Sequence, residues 1–230
     1  MSEQLITVGE ATQRLGVTSD LPANKCLTKG EFDELSSKIP ELAPNGVYIM
    51  HKDRFIVTKD NWTYSNEEAS GVAVKTDNCS FVIAKTEINS IGWDGIGILI
   101  NGCTTTTYTD IAITDYNGKQ NTDAINKQMG IGGNPAATYC STFEFTHGTK
   151  GYLPALGELI EANKNITEIN ECMSLIGGKL LYDSSSNYYT KWSSTQSNNN
   201  NAWSFNFKNK SSSSEYKGTA YTARPFSAFK

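Results

Sequence analysis

Histidine, charge and long apolar runs are what this 230-residue chain has least of, and each shortage removes a class of function. Its two histidines, His51 and His147, leave little for acid–base or metal chemistry, and no HExxH, GxSxG or DxDxDG pattern is present. His147, in Phe145-Thr-His-Gly-Thr149, reads as a turn residue with a structural or solvent-exposed role. Charged residues make up only 19%, with a net charge of −4 and no basic cluster, which argues against a nucleic-acid backbone as partner. No stretch approaches the roughly 18 consecutive apolar residues of a membrane span. The five cysteines (Cys26, Cys79, Cys103, Cys140, Cys172) form no CxxC pair, so reduced, buried thiols are expected rather than a disulfide framework or a metal site. The first residues, MSEQLITVGEATQRLG, lack the apolar core of a signal peptide, which suggests synthesis in the cytosol. Neither glycine cluster, 92–97 or 130–133, follows a strand and opens a helix as a phosphate loop would. Trp93-Asp94-Gly95 reads as a turn closing a loop over the core. No metal or cofactor is expected.

What fills the deficit is neutral polarity: 67 residues are Asn, Ser or Thr. Residues 1–45 read as a separate attachment or oligomerisation segment. There Thr28-Lys-Gly-Glu31 fits a capping box, Phe32, Leu35 and Ile39 recur at helical spacing, and Pro40 ends the helix. So short an amphipathic piece must dock on something larger. From residue 46 onward a single domain is expected. Strands are predicted over 47–51, 54–58, 71–76 and 81–85, and long loops with one strand near 96–100 over 86–120. Helices are predicted over 122–129, 136–142, 154–162 and 168–176.

Between Asp183 and Lys217, 18 of 35 residues are Ser or Asn, interrupted by aromatics at a period of two. In Ala202-Trp-Ser-Phe-Asn-Phe207 the rings fall on one face of a strand, with Ser204 and Asn206 on the other. A disordered tail gains nothing from such placement. The runs 198–201 and 211–214 read as loops either side of that strand, and 221–226 as a closing strand whose Pro225 implies an edge or a bulge. Asn, Ser and Thr supply hydrogen bonds without a charge to desolvate, and Tyr supplies rigid flat area at small entropy loss. The candidate ligand-binding set is therefore Tyr188, Tyr189, Ser197, Asn198, Asn199, Asn200, Asn201, Ser204, Asn206, Asn209 and Tyr216.

Several motifs carry a family likeness: Gly151-Tyr-Leu-Pro-Ala-Leu-Gly-Glu158, Cys172-Met-Ser-Leu-Ile-Gly-Gly178, Trp192-Ser-Ser-Thr-Gln196, Asn201-Ala-Trp203 and Ala223-Arg-Pro-Phe226. Over residues 46–230 the chain resembles the C-type-lectin-fold variable proteins diversified by retroelements, with relatives in phages and bacteria of the gut Bacteroidales. The resemblance implies an α+β, C-type-lectin-like fold in which two helices support a twisted antiparallel sheet. Trp192, Trp203 and Arg224 would be scaffold, and the Asn and Ser positions between them the variable binding face. Two departures matter. The calcium-dependent lectin motifs are missing, and no cysteine follows Cys172, which disfavours the chemistry of the formylglycine-generating enzymes that share the fold.

These observations point to a non-enzymatic phage virion protein, a head or tail fibre or decoration made in the host cytoplasm. It would bind a host-surface glycan or protein through its C-terminal face. The N-terminal segment would join it to other virion proteins and to copies of itself, a trimer being favoured. A structural virion protein using the same face for subunit contacts, and a bacterial lectin-like protein, are the alternatives. An enzyme on this scaffold would need a deep pocket with a perturbed titratable group.

Overall fold

The computed structural model describes residues 43–93 and 97–229. The attachment segment expected over 1–45 lies outside the described residues except for 43–45, as do Asp94, Gly95 and Ile96. The architecture is α+β, with two sheets and helices distributed around them.

The first sheet is built from β1 (Gly46–His51), β2 (Ile56–Val57), β3 (Ala69–Lys75), β4 (Ser80–Ala84), β6 (Gly151–Tyr152) and β11 (Phe226–Ala228), in the order β2-β1-β3-β4-β11-β6. Every pairing in it is antiparallel. Period-two alternation sends Ile49, Val72, Val74, Phe81 and Ile83 to one face and Tyr48, Met50, Ala73, Val82 and Ala84 to the other. Both faces are covered, so these strands read as apolar runs rather than as alternating ones. On the first face lie α4 (Leu156–Lys164) and α5 (Ile166–Leu175), which contribute Leu156, Leu159, Ile169, Cys172 and Met173.

The second sheet has the order β5-β10-β7-β8-β9, from β5 (Ile88–Ile91), β7 (Thr190–Gln196), β8 (Asn201–Asn206), β9 (Ser211–Tyr216) and β10 (Tyr221–Ala223). It is mixed, since β10 runs parallel to β7 through Thr222↔Lys191. Trp203, Phe205 and Phe207 join the core shared with the first sheet and the two helices. The opposite side, with Trp192 and Ala202, packs against Trp93, Ile100 and residues of α2 (Gly118–Met129) and α3 (Pro135–Thr142). A short α1 (Thr109–Ala112) precedes α2.

Several expectations are corrected here. Two sheets stand in place of the one that the resemblance implied, while the four helices predicted from the residues over 122–176 are present as α2 to α5, beside the short α1. Residues 54–58 yield only the two-residue β2, because Arg54 takes a left-handed turn conformation (φ 69°). Among the described residues of 96–100 there is no strand, and β5 supplies the pairing of that region instead. The serine run 211–214 is not a loop but most of β9, held by its ladder to β8, where pairing overrides the weak strand preference of serine. The closing segment is two strands, with β10 in the second sheet and β11 in the first. Pro225 sits at the switch between them rather than at an edge or bulge. No donor is lost there, and its carbonyl accepts from the Ala84 amide at 3.0 Å.

In strand order the chain passes between the sheets four times, at β4→β5, β5→β6, β6→β7 and β10→β11, and one charge cluster ties two of these crossings, β4→β5 and β10→β11. Glu87, from the former, is paired with Arg224 Nη1 (3.3 Å) from the latter, with Lys191 Nζ of β7 (2.6 Å) and with Lys179 Nζ (2.8 Å). The side chains of Glu87, Arg224 and Lys191 are at most 2% exposed. Arg224 also donates to the carbonyls of Ala84 (2.8 Å), Lys179 (2.7 Å) and Leu180 (3.2 Å). Burial alone would push the Glu87 carboxyl up, but Lys191 and Arg224 outweigh it and hold the group below its ordinary value.

Removing one member of a buried, hydrogen-bonded charge group strands the others, at a cost of about 3–5 kcal/mol. Glu87→Gln, and separately Arg224→Met, are therefore expected to lower the urea midpoint strongly at unchanged slope. A loss below about 1 kcal/mol for both would show that the cluster does not hold the sheets together.

Candidate functional site

The eleven candidate binding residues do not form one face. Residues Trp192 to Ser197 are all buried, and their polar groups are spent inside the protein. Ser193 Oγ donates to the Trp203 carbonyl (2.7 Å) and Thr195 Oγ1 to Asp115 Oδ2 (2.7 Å). Gln196 Oε1 accepts from Lys217 Nζ (2.9 Å) and from the Ile100 amide (3.2 Å). The buried Asp115 carboxylate further accepts from Asn121 Nδ2, Thr104 Oγ1 and Asn117, which pins the loop 103–106 and the start of α2 to β7.

Ser204 was expected on the open face, and the structure corrects this: it is fully buried, directly opposite Trp192. Strand β8 lies between β7 and β9 with both faces covered over Ala202 to Phe205, so only its end residues Asn201 and Asn206 are reached from outside. Ser197 is likewise buried, and its Oγ accepts from Ser214 Oγ at 2.8 Å. Trp192 and Arg224 are fully buried and Trp203 nearly so.

The remaining candidates divide between the two ends of β8, some 17 Å apart at ~3.4 Å per residue. At one end Asn198 Oδ1 accepts from the amides of Asn200 and Asn201, an Asx turn that leaves Asn199 and Asn200 exposed beside Tyr216. At the other end Tyr188, Tyr189 and Asn206 line a groove of about 370 Å³. Asn209 lies exposed on the adjoining turn, where Asn206 Oδ1 accepts from the amides of Lys208 and Asn209. Asn206 thus keeps its Nδ2 as the donor available to a ligand.

Five further lining residues went unpredicted: Asn187, Thr190, Ala220, Tyr221 and Thr222. Tyr221 and Thr222 arrive through the parallel β10–β7 pairing, which leaves no local trace in the sequence. The Tyr221 ring rests on Trp192, with centroids 5.0 Å apart, so a buried scaffold ring props a groove ring. Aromatic faces and neutral hydrogen-bonding groups in one concavity make a surface suited to polyhydroxylated ligands.

A larger cleft of about 760 Å³ lies elsewhere, lined by Cys79, Tyr116, Lys119, Tyr152, Glu158 and Phe229 among others. Burial raises the Glu158 carboxyl to about 8. Both of its oxygens are engaged, by the Tyr152 hydroxyl (2.8 Å) and by the Ala155 amide at the start of α4 (2.7 Å). Gly118 packs so closely on this carboxylate that a Cβ there would collide with it. Glu158 is therefore a fastening between α2, β6 and α4. Burial pushes the Cys79 thiol up to about 12, which keeps it protonated and a poor nucleophile. Cys79, Cys103, Cys140 and Cys172 are all free thiols. Among the described residues no group of three or more His, Cys, Asp or Glu is placed to hold a metal ion. Trp93 is fully buried, and its indole donates to the Ser193 carbonyl at 2.7 Å.

His147 proves buried rather than exposed. Its Nδ1 lies 2.6 Å from Ser70 Oγ and its Nε2 3.4 Å from Ser227 Oγ, which joins β3 to β11.

No family model matches the sequence, and no curated protein matches it. Among solved structures, the fold is similar to a fimbrial protein from Bacteroides ovatus, with a TM-score of 0.59 at 15% identity. The match covers 80% of this chain and 48% of that one, so the chain spans about half the length of the fimbrial protein. At this identity the likeness is one of fold.

Two buried groups set the pH range of stability. Burial, aided by the Arg54 charge, lowers His147 from 6.5 to about 4. The unfolded chain then binds the extra proton, and stability falls as pH drops from 6.5 to 4. Glu158, raised from 4.5 to about 8, stabilises fully below 4.5 and loses that contribution as pH rises to 8. Between 4.5 and 6.5 the two slopes cancel, each being at most ~1.4 kcal/mol per pH unit. Urea midpoints are expected to be level there and to fall on either side. Glu158→Gln should abolish the fall between 6.5 and 8, and an unchanged alkaline limb in that variant would refute the assignment.

Proposed function

We propose that the protein is a non-enzymatic attachment module of C-type-lectin-like fold that binds a surface glycan through the groove of Tyr188, Tyr189, Asn206 and Tyr221. The observation that carries this reading is the groove's composition. Three tyrosines, two asparagines and two threonines converge there, while histidine and cysteine are absent from its lining. Such a site offers ring faces for the apolar side of a sugar and unhurried neutral donors and acceptors for its hydroxyls. It offers no nucleophile with an adjacent base, and the most perturbed carboxyl, Glu158, is occupied in holding a helix.

The carrier follows from the resemblance of the C-terminal motifs: a phage particle, with residues 1–45 joining the module to other virion proteins or to sister subunits in a trimer. The fold shared with a Bacteroides fimbrial protein favours a second carrier, the bacterial surface itself. Antibody detection in purified phage particles, as against cell-envelope fractions, separates the two.

For recognition, full-length protein is applied to immobilised glycans and to whole Bacteroidales cells. Tyr188→Ala is expected to weaken binding about tenfold, equivalent to ~1.4 kcal/mol, with an unchanged unfolding midpoint. Ser213→Ala, remote from the groove on β9, should bind as the unsubstituted protein does. Full binding by both Tyr188→Ala and Tyr189→Ala would place recognition elsewhere.

A further inference from the structure

We infer that the groove selects anionic saccharides, those bearing uronate, sulfate or phosphate groups. This rests on the glycan-binding reading above and narrows its ligand class.

The first observation is the placement of ammonium groups. Lys179 Nζ lies 5.9 Å from the centroid of the Tyr188 ring, and Lys208 Nζ lies 5.2 Å from that of Tyr189. Both lysines are on the surface, so Tyr188 and Tyr189, two of the three groove tyrosines, each carry an exposed cation over the ring, that of Lys179 shared with Glu87. A saccharide seated on either ring meets an ammonium within reach of an equatorial acid group.

The second observation is the charge behind the groove wall. Thr222, in the lining, has its Oγ1 3.3 Å from Asn89 Oδ1, which in turn lies 3.4 Å from Lys179 Nζ. Lys179 belongs to the cluster at the sheet crossings, where the single carboxylate of Glu87 faces Lys179, Lys191 and Arg224. Even with Asp183 acting on Lys179 from outside, the three cations of that cluster outnumber the two carboxylates. Lys191 is the strand neighbour of Thr190 and the register partner of Thr222, both of which line the groove. The excess positive charge therefore sits immediately behind the site, in a medium where it is poorly screened.

Two carboxylates lie nearby, Asp183 beside Lys179 and Glu215 beside Tyr221. Asp183 Oδ1 accepts from the amide and hydroxyl of Ser185, and Glu215 is hydrogen-bonded to Tyr221. Neither carboxylate lies over the Tyr188 or Tyr189 ring; Lys208 can turn to a ligand from its place on Tyr189, whereas Lys179 stays tied to Glu87 at 2.8 Å and acts from there.

The test is a panel of acidic saccharides, each paired with its neutral counterpart, such as polygalacturonate with its methyl ester. The full-length protein is expected to bind acidic members at least tenfold more tightly than their partners, with the preference shrinking as salt is raised from about 50 to about 500 mM, over which the Debye length falls roughly threefold. Lys208→Gln, which touches no part of the buried cluster, should cut the preference severalfold. Lys179→Gln should do the same, and Lys179→Arg should retain it, which separates charge from any loosening of the Glu87 pair. Equal binding of acidic and neutral members, with loss on Tyr188→Ala, overturns the selectivity and leaves the groove as a glycan site. Binding of no glycan of either kind overturns both.

Discussion

Glu87 and Arg224 meet where the chain crosses from one sheet to the other in both directions, and the fold depends on that meeting. Each crossing removes residues from a hydrogen-bonded ladder, so their backbone groups need other partners. Arg224 meets that need by capping the carbonyls of Ala84, Lys179 and Leu180 with its planar fork, a task that the point charge of a lysine cannot perform. Glu87 makes the burial of that guanidinium tolerable, and Lys191 draws the central strand of the second sheet into the same knot. Arg224 is thus a structural residue. Its position is defined by both sheets at once.

The abundance of Asn, Ser and Thr has two separate physical uses in this molecule. Along β7 these side chains act inside the protein, where Ser193, Thr195 and Gln196 satisfy backbone groups and the Asp115 carboxylate. Loops that lack ladders of their own are held down in this way. Around the groove and at the 198–201 turn the same residue types face water or organise tight turns. A serine that donates to a buried carbonyl and a serine that greets a ligand are chemically identical, so composition could not separate them.

What could be read from the sequence follows the same line. The short apolar runs of β1, β3 and β4 between turn residues and the apolar stripes of α4 and α5 are local patterns, and they placed those elements nearly correctly. The aromatics at 203, 205 and 207 correctly implied order in a polar tail. That order was misread as one open face, because period two reveals which residues share a side but not whether a second layer covers it. The parallel β10–β7 pair and the sheet switch at Pro225 are set by contacts between residues remote in the chain. Of the candidate site, Tyr188, Tyr189 and Asn206 converge, while Tyr221 and Thr222 enter only through that remote pairing.

Strand β11 lies inside the first sheet, between β4 and β6, although it is formed by residues 226–228 while β4 is formed by residues 80–84. During synthesis the β1–β3–β4 meander is therefore complete long before its neighbour exists, and one side of β4 stays unpaired while some 140 residues are added, a matter of ten seconds or so at typical elongation rates. Through that interval the molecule carries an open, apolar strand edge of the kind that pairs indiscriminately. Residues 226–228 act as a bolt: as they slide between β4 and β6 they bring the adjoining Arg224 into the knot at Glu87.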